Sequence, residues 1–162
     1  LLGWSLANLR GLQTDLQRRY ARRAETAFGT IDFPAQQEIN TVRMVAKLLE
    51  SSADAAIYSY PSGASFYLTT GRKNATRYQF LMHGHHSEAQ FAEVRHTLAH
   101  DDVACVVVAP TLLRRAERAR FMLQLTEKGR FERLRMIGTG PHFALFCRPD
   151  VVRQAGDATP QS

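Results

Sequence analysis

The six-residue run from Val103 to Val108, written VACVVV, constrains the fold more than any other part of the chain. A strand with one solvated face alternates apolar and polar residues, whereas this run has no polar position. Strands of that kind occur in parallel sheets that helices cover on both faces. Asp102 precedes the run and Pro110 follows it, so it has the length of one short buried strand. We therefore predict an inner strand of a helix-covered sheet.

Strand-like and helix-like segments alternate through the rest of the chain. Strands are predicted at residues 55–59, 78–82, 131–137 and 143–147, in addition to Val103–Val108. The last two are joined by a short link with glycine and proline, which predicts an antiparallel hairpin. The whole pattern predicts an α/β fold: a three-layer sandwich with a mostly parallel core sheet and a C-terminal antiparallel hairpin, preceded by an N-terminal helix.

Four helices are predicted from apolar residues that recur at three- and four-residue steps. They occupy residues 4–25, 34–51 and 87–100, and a segment between Pro110 and Gly129. Residues 28–33 are predicted as a short link, and residues 64–68 as a short helix or turn. The predicted inner stripes are Ile39, Val42, Ala46 and Leu49 in the second helix and Phe91, Val94 and Leu98 in the third. Ser87 is the predicted N-cap of the third helix. In the fourth helix the predicted buried stripe is Leu112, Ala116, Ala119 and Leu123, with Phe121 and Leu125 on another side.

Three regions are predicted: residues 1–27 as an amphipathic helix, 28–149 as the α/β domain and 150–162 as a disordered tail. The first helix carries four arginines, Arg18, Arg19, Arg22 and Arg23. They form either a solvated helical face or contacts to phosphate headgroups from a juxtamembrane helix. The chain begins mid-pattern and without methionine, which indicates a piece of a longer protein.

Polar and aromatic residues follow the first predicted strand, at the edge of the sheet where α/β proteins build their sites. Arginine holds phosphate oxygens in two parallel bonds, and tyrosine suits a sugar face. The alternative is a scaffold in which the tyrosines pack in the core and the arginines cap helices or pair with carboxylates. The candidate contact residues are Tyr60, Tyr67, Arg72, Asn74, Arg77 and Tyr78.

The net charge of +6 favours anionic surroundings, such as phosphate, anionic lipid or nucleic acid. No RNP-type motif and no recognition helix with a polar reading face is present, so nucleic acid is not an expected partner. Cys105 and Cys147 both lie inside predicted strands. They are predicted to be small buried hydrophobic residues, and two cysteines are too few for a disulfide scaffold.

The sequence lacks the motifs that are typical of several classes of enzyme. The chain has no glycine-rich nucleotide loop, no Walker lysine and no nucleophile elbow. Residues 58–86 contain no Asp or Glu, so acid–base chemistry has no carboxylate in that stretch. Two groups that contain histidine are not expected to hold a metal. The members of the first are near neighbours in sequence and rarely point to one centre, and the members of the second face solvent. These groups are His83, His85 and His86, and Glu93, His96 and His100. No cofactor is predicted.

The order of motifs in the central stretch resembles a known pattern. It reads Tyr60-Pro61, Phe66-Tyr67-Leu68, Gly71-Arg72-x-Asn74 and Arg77-Tyr78. This order is similar to the C-terminal soluble region of polytopic, family 39-like glycosyltransferases. These are relatives of dolichyl-phosphate-mannose–protein mannosyltransferases and lipid A aminoarabinose transferases. The similarity covers residues 34–149, with Ala75 where the family often has proline.

The resemblance implies a multi-span membrane enzyme that transfers a sugar from a polyprenyl-phosphate donor to an extracytoplasmic acceptor. The catalytic carboxylate of such enzymes lies in the membrane half, so this chain is expected to be a non-catalytic domain. Its implied partners are the membrane half of the same polypeptide and an anionic lipid or polyprenyl-phosphate sugar. The implied location is the extracytoplasmic, periplasmic face of the membrane. Two alternatives remain: a free-standing phosphate- or nucleotide-binding α/β module, and a basic nucleic-acid-binding domain.

Overall fold

The computed structural model describes residues 22–33, 35–50, 54–61, 63–100, 102–134 and 143–157. Within these residues the fold is mixed α/β, with a five-stranded mixed sheet, a separate two-stranded hairpin and helices. The strands are β1 (Arg22–Thr26), β2 (Gly29–Phe33), β3 (Ala56–Tyr60), β4 (Lys73–Asn74), β5 (Val103–Val108), β6 (Glu132–Leu134) and β7 (Ala144–Cys147). The helices are α1 (Gln36–Leu48), α2 (Ala64–Thr70), α3 (Glu88–His100), α4 (Arg115–Thr126) and α5 (Pro149–Asp157).

The five-stranded sheet has the order β4-β3-β5-β7-β6. Strand β3 is parallel to β4 and β5, whereas β7 is antiparallel to β5 and β6. Strand β5 is therefore central, and all its residues are buried, as predicted. The antiparallel pairing of the last two strands is also confirmed. Because this sheet has two parallel and two antiparallel strand pairs, the prediction of a mostly parallel core sheet is not confirmed.

Alternate residues of β5 enter two different hydrophobic clusters. Cys105 and Val107 belong to the first cluster, together with α1, α2, α5 and the β1–β2 hairpin. Val106 and Val108 belong to the second cluster, together with α3 and α4. Since successive side chains of a strand point to opposite faces, both faces of the sheet are packed. This explains why the sequence of β5 has no polar position.

Two of the predicted helices form where their local sequence signals lie. In α1, Ile39, Val42 and Leu49 are buried as predicted, although Val45 takes the inward position predicted for Ala46. In α3 the predicted buried residues Phe91, Val94 and Leu98 are buried. Ser87 precedes α3 and caps it. Its backbone N–H donates to Gln90 Oε1 over 2.8 Å, and its hydroxyl accepts from the Gln90 N–H over 3.4 Å.

Residues 22–25 form a strand and not the end of a helix, and residues 28–33 are not a simple link. Strands β1 and β2 pair antiparallel around a turn that ends at Gly29, which has a φ of +98°. Ala24 is buried between two exposed residues, and in β2 exposed Asp32 lies between half-buried Ile31 and buried Phe33, an alternation that fits a strand. The cross-strand pair of Arg23 and Asp32 supports this register. Residues 1–21, with Arg18 and Arg19, lie outside the described residues.

The second predicted strand, at residues 78–82, is wrong, because β4 at Lys73–Asn74 is the partner of β3. Asn74 explains the difference. Its side-chain Oδ1 accepts from the Thr76 N–H over 3.0 Å, and its Nδ2 donates to the Tyr78 carbonyl over 2.9 Å. This local turn bends the chain before Tyr78 and ends the pairing. Tyr78 and Leu81 are still buried, but they reach the core from a loop.

The predicted buried stripe of α4 is also wrong. Leu112 and Leu123 are 59% and 70% exposed, whereas Leu125 is buried and Phe121 packs beside it. The reason is that Leu112 lies in a separate 3₁₀ turn, Pro110–Leu112, and α4 begins only at Arg115. A helical period counted from Leu112 therefore identifies the wrong face.

The region after Arg148 is helical and not disordered up to residue 157. Helix α5 begins at Pro149, a residue that suits the first turn of a helix because it lacks an N–H. Val151 is buried in the first cluster, and Arg148 forms ion pairs with Asp102 and Asp150. Residues 158–162 of the predicted tail lie outside the described residues.

Cys105 and Cys147 are both fully buried, as predicted, but they also form a disulfide. The two residues are direct partners in the β5–β7 register, with their Cα atoms 4.1 Å apart. The sequence alone could not reveal this bond, because it requires β5 and β7 to be neighbours in one particular register. Within the described residues, no helix combines the length and the apolar character needed to cross a membrane.

We predict that reducing this disulfide lowers the free energy of unfolding by about 3–4 kcal/mol, because the bond closes a long loop in the unfolded chain. The two cysteines are separated by 42 positions. Urea denaturation with and without reductant measures the effect. The double variant Cys105→Ala/Cys147→Ala is the control, since reductant should leave its stability unchanged. Two reactive thiols in the non-reduced, denatured protein would contradict the pairing.

Candidate functional site

A cavity of about 580 Å³ lies at the carboxyl ends of the neighbouring strands β3 and β5. Pro61 and Pro110 end these strands, and the Ala109 N–H donates to the Tyr60 carbonyl over 2.8 Å, which ties the two strand ends together. The edge of the sheet is therefore the one expected for a site in an α/β protein. The cavity is lined by Pro61, Met82, His83, Gly84, Leu112, Leu113, Arg114, Ala116, Glu117 and Arg120.

The central polar contact of the site joins Tyr60 to Glu117. Tyr60 is the last residue of β3, and its hydroxyl donates to Glu117 Oε1 over 2.5 Å. Its ring stacks on Phe121 of α4, with centroids 4.1 Å apart. The residue is only 1% exposed, so it lies behind the cavity wall and acts through Glu117. Burial, followed by the bond to Glu117 and the charge of that group, raises the pKa of the Tyr60 phenol. The phenol therefore remains a proton donor at neutral pH.

His83 is a second polar group of the wall, and it comes from the loop after residue 82. Its ring stacks on Phe91 of α3 with centroids 4.1 Å apart and an interplanar angle of 10°. Its Nε2 lies 3.8 Å from Glu117 Oε1, and its Nδ1 lies 3.7 Å from Glu88 Oε1. The stacking fixes the ring at the mouth of the cavity, with both nitrogens beside carboxylates.

Two arginines complete the polar wall. Arg114 immediately precedes α4 and Arg120 lies within it, with Glu117 midway between them. All three side chains line the same cavity. Within the described part of the chain, the side chains of Arg114 and Arg120 make no ion pair and no hydrogen bond. The wall thus combines two cations, a carboxylate and a histidine.

Tyr67 and Arg72, two of the predicted contact residues, serve the opposite side of the sheet. The Tyr67 hydroxyl accepts from the Ser59 N–H over 2.9 Å, and its ring packs against the first cluster. Burial raises the pKa of the Tyr67 phenol to about 12. Arg72 Nη2 donates to the Leu49 carbonyl over 2.8 Å and so caps the end of α1. Both contacts match the scaffold alternative.

Arg77 and Tyr78 converge on Glu93 of α3. Arg77 Nη2 lies 2.7 Å from Glu93 Oε2, and the Tyr78 hydroxyl donates to the same oxygen over 2.8 Å. The guanidinium also lies 5.1 Å from the centroid of the Tyr78 ring. The bonds from Tyr78 and Arg77 lower the pKa of the Glu93 carboxyl. Asn74 forms the local turn described above. Of the six predicted residues, Tyr60 is the one that hydrogen-bonds to a residue of the cavity wall, Glu117.

The two described headgroup candidates lie on the β1–β2 hairpin. Arg22 is exposed at the start of β1. Arg23 is paired with Asp32, which raises the pKa of the guanidinium and lowers that of the carboxyl. Headgroup contact by these arginines stays a prediction. Among the described residues, no three His, Cys, Asp or Glu side chains lie together in a way that could hold a metal ion.

The four charged or titratable residues of the cavity wall were not predicted as site residues: His83, Arg114, Glu117 and Arg120. Residues 58–86 contain no carboxylate in sequence. In the folded chain, however, helix α4 brings the carboxylate of Glu117 to Tyr60. Two signals were present in the sequence. Pro61 and Pro110 each follow an apolar strand, and charged residues recur every third position from Arg114 to Arg120.

No protein-family model matches this chain, and neither a curated protein nor a solved structure is detectably similar to it.

We predict that Tyr60→Phe lowers the free energy of unfolding by about 1.5–3 kcal/mol near neutral pH, because it removes a hydrogen bond to a carboxylate. The matched control is Tyr58→Phe. The buried Tyr58 hydroxyl has no hydrogen-bond partner among the described residues, so its removal should cost little. Chemical denaturation measures both variants. Equal losses in the two variants would contradict the role of the Tyr60–Glu117 bond.

The stability difference between wild type and Tyr60→Phe should narrow as the pH rises above about 10. The raised pKa of folded Tyr60 sets the sign. Above its ordinary pKa the phenol of the unfolded chain loses its proton while the folded phenol keeps it, which favours unfolding of the wild type. A difference that stays constant through this pH range would contradict the assignment.

Proposed function

We propose that this chain is a non-catalytic, extracytoplasmic domain of a membrane glycosyltransferase that uses a polyprenyl-phosphate sugar donor. The observation that carries the proposal is the ordered run from Tyr60 to Tyr78, which resembles the C-terminal region of such enzymes. The catalytic carboxylate of these enzymes belongs to the membrane half, so this chain contributes binding and positioning. Its partners are the membrane half of the same polypeptide and the anionic lipid.

The contacts made by the run support its role as an organised unit. Tyr67, Arg72 and Asn74 each make a hydrogen bond that depends on the chemistry of that side chain. The run thereby connects the end of α1, the strand β3 and the loop that leads to α3. An ordered surface of this kind suits a domain that packs against a second part of the same polypeptide.

The disulfide supports an extracytoplasmic location. Disulfides form and persist in oxidising compartments such as the periplasm and are rare in reducing ones. Cys105 and Cys147 are bonded at the centre of the sheet, where both are fully buried. The net charge of +6 supports a surface that faces lipid phosphates.

The finer description of the fold belongs to the same proposal. A three-layer sandwich is supported by the two hydrophobic clusters, which place α1, α2 and α5 against one set of β5 side chains and α3 and α4 against the other. The strand-end cavity lies at the carboxyl end of β3, whereas Lys73 and Asn74 pair with the first two residues of that strand.

A second candidate is a free-standing phosphate-binding α/β module, and one observation favours it. The cavity at the carboxyl ends of the parallel strands β3 and β5 is lined by Arg114 and Arg120. Neither arginine makes an ion pair within the described part of the chain. The carboxyl end of such strands is the position at which open α/β sheets bind their ligands. The two functions differ in whether this domain works within a membrane enzyme.

In the whole enzyme that carries this domain, we predict that Arg77→Ala lowers the rate of sugar transfer roughly tenfold, the effect expected for one lost charged hydrogen bond. The ion pair with Glu93 is exposed and contributes little to stability. The melting temperature of the domain should therefore stay nearly unchanged.

Glu93→Gln is the matched control, because it breaks the same ion pair but retains an acceptor for the Tyr78 hydroxyl. If the Arg77 side chain contacts lipid phosphate, this control transfers sugar at the wild-type rate. Equal losses in Arg77→Ala and Glu93→Gln, or no loss in either, would contradict the contact.

A further inference from the structure

We propose that the strand-end cavity binds the phosphate monoester of a hydroxyl-bearing molecule, as in a sugar phosphate. Arg114 and Arg120 contact the phosphate, and Glu117 accepts a hydroxyl group of the ligand. This inference rests on the side chains of the cavity and does not require the membrane enzyme proposed above. It concerns residues that lie outside the Tyr60–Tyr78 run, apart from Tyr60 as a positioning residue.

The size and setting of the cavity fit a small ligand. Its volume of about 580 Å³ lies within the range of small-molecule sites. The floor is rigid, because the ends of β3 and β5 are joined by a backbone hydrogen bond from Ala109 to Tyr60. Strand ends and helix α4 thus form one part of the site, and the loop at residues 82–84 forms another.

The charges of the wall favour an anion. Two arginines oppose one glutamate, which leaves one net positive charge before His83 is counted. In the described part of the chain neither Arg114 nor Arg120 has an ion-pair partner, so their forked donors can both face a ligand. Planar guanidinium groups bind phosphate oxygens through paired hydrogen bonds. Two such groups in one cavity are therefore suited to the oxygens of a phosphate.

Glu117 accounts for the hydroxyl in the proposed ligand. Its contacts with Tyr60 and His83 both use Oε1. The hydrogen bond from the Tyr60 hydroxyl to Oε1 fixes the orientation of the carboxylate, and thereby also the direction of Oε2. A carboxylate oxygen beside an anion site accepts a hydroxyl but repels a second phosphate. This argues for a polyol phosphate and against a polyphosphate.

The apolar part of the wall leaves two sources for the phosphate. Met82 and Leu112 flank the cavity and are partly or largely exposed. They suit the apolar face of a sugar ring, and equally the first carbons of a lipid chain. A soluble sugar phosphate and a lipid-linked phosphate share the chemistry that the arginines recognise, and two binding assays separate them.

The test uses the purified protein and two probes. Isothermal titration with glucose 1-phosphate measures the soluble source. Flotation with phosphatidylcholine vesicles, with and without phosphatidylinositol 4-phosphate, measures the lipid source, because that lipid carries a phosphate monoester on a hydroxyl-bearing ring. We expect saturable binding in at least one assay. Arg114→Ala and Arg120→Ala should each weaken that binding about 10- to 100-fold. Binding in one assay alone identifies the source.

Arg115→Ala is the matched control, since Arg115 is exposed and starts the same helix but does not line the cavity. It removes the same charge and should leave binding unchanged. Tyr60→Phe should also weaken the binding of glucose 1-phosphate, but by a smaller factor than Arg114→Ala or Arg120→Ala does. Absence of saturable binding in both assays, or equal weakening by Arg115→Ala, would overturn the proposal. Neither result bears on sugar transfer by the whole enzyme, which tests the proposed function separately.

Discussion

The structure depends on the pairing of β5 with β3 on one side and β7 on the other. Every residue of β5 is buried, and its alternate side chains enter two separate hydrophobic clusters. Burial of several apolar side chains on both faces stabilises the fold, at about 1.5–3 kcal/mol for each fully buried large residue. The disulfide between Cys105 and Cys147 fixes the register of the antiparallel pair. On one face of the sheet, helix α1 also packs directly against α2 and α5.

The site follows from the same arrangement. Because β3 and β5 are parallel neighbours, their carboxyl ends meet at one edge, where proline ends both strands. Tyr60 is held there by β3, and its hydrogen bond to Glu117 attaches α4 to the strand end. The position of α4 in turn brings Arg114 and Arg120 to the cavity. A single buried phenol therefore links the packing of the sheet to the chemistry of the surface.

Sequence patterns predicted the parts of the fold that local signals determine. Strand β5 is an uninterrupted apolar run, and helix α3 has a clear apolar period and a capping serine. The hairpin of β1 and β2 was missed because apolar spacing around Ala24 fits a helix as well as a strand. The disulfide and the Tyr60–Glu117 bond were missed because both are non-local. Tyr60 and Glu117 are 57 residues apart, so only the folded structure brings them together.

Hydrogen exchange of the β5 amides tests the central role of this strand most directly. If β5 is the inner strand on which the sheet depends, the amides of Val106 and Val107 should exchange only through global unfolding. Those of the β1–β2 hairpin, which lies outside the main sheet, should exchange faster through local opening. Exchange of the β5 amides at the same rate as the hairpin amides would contradict this account.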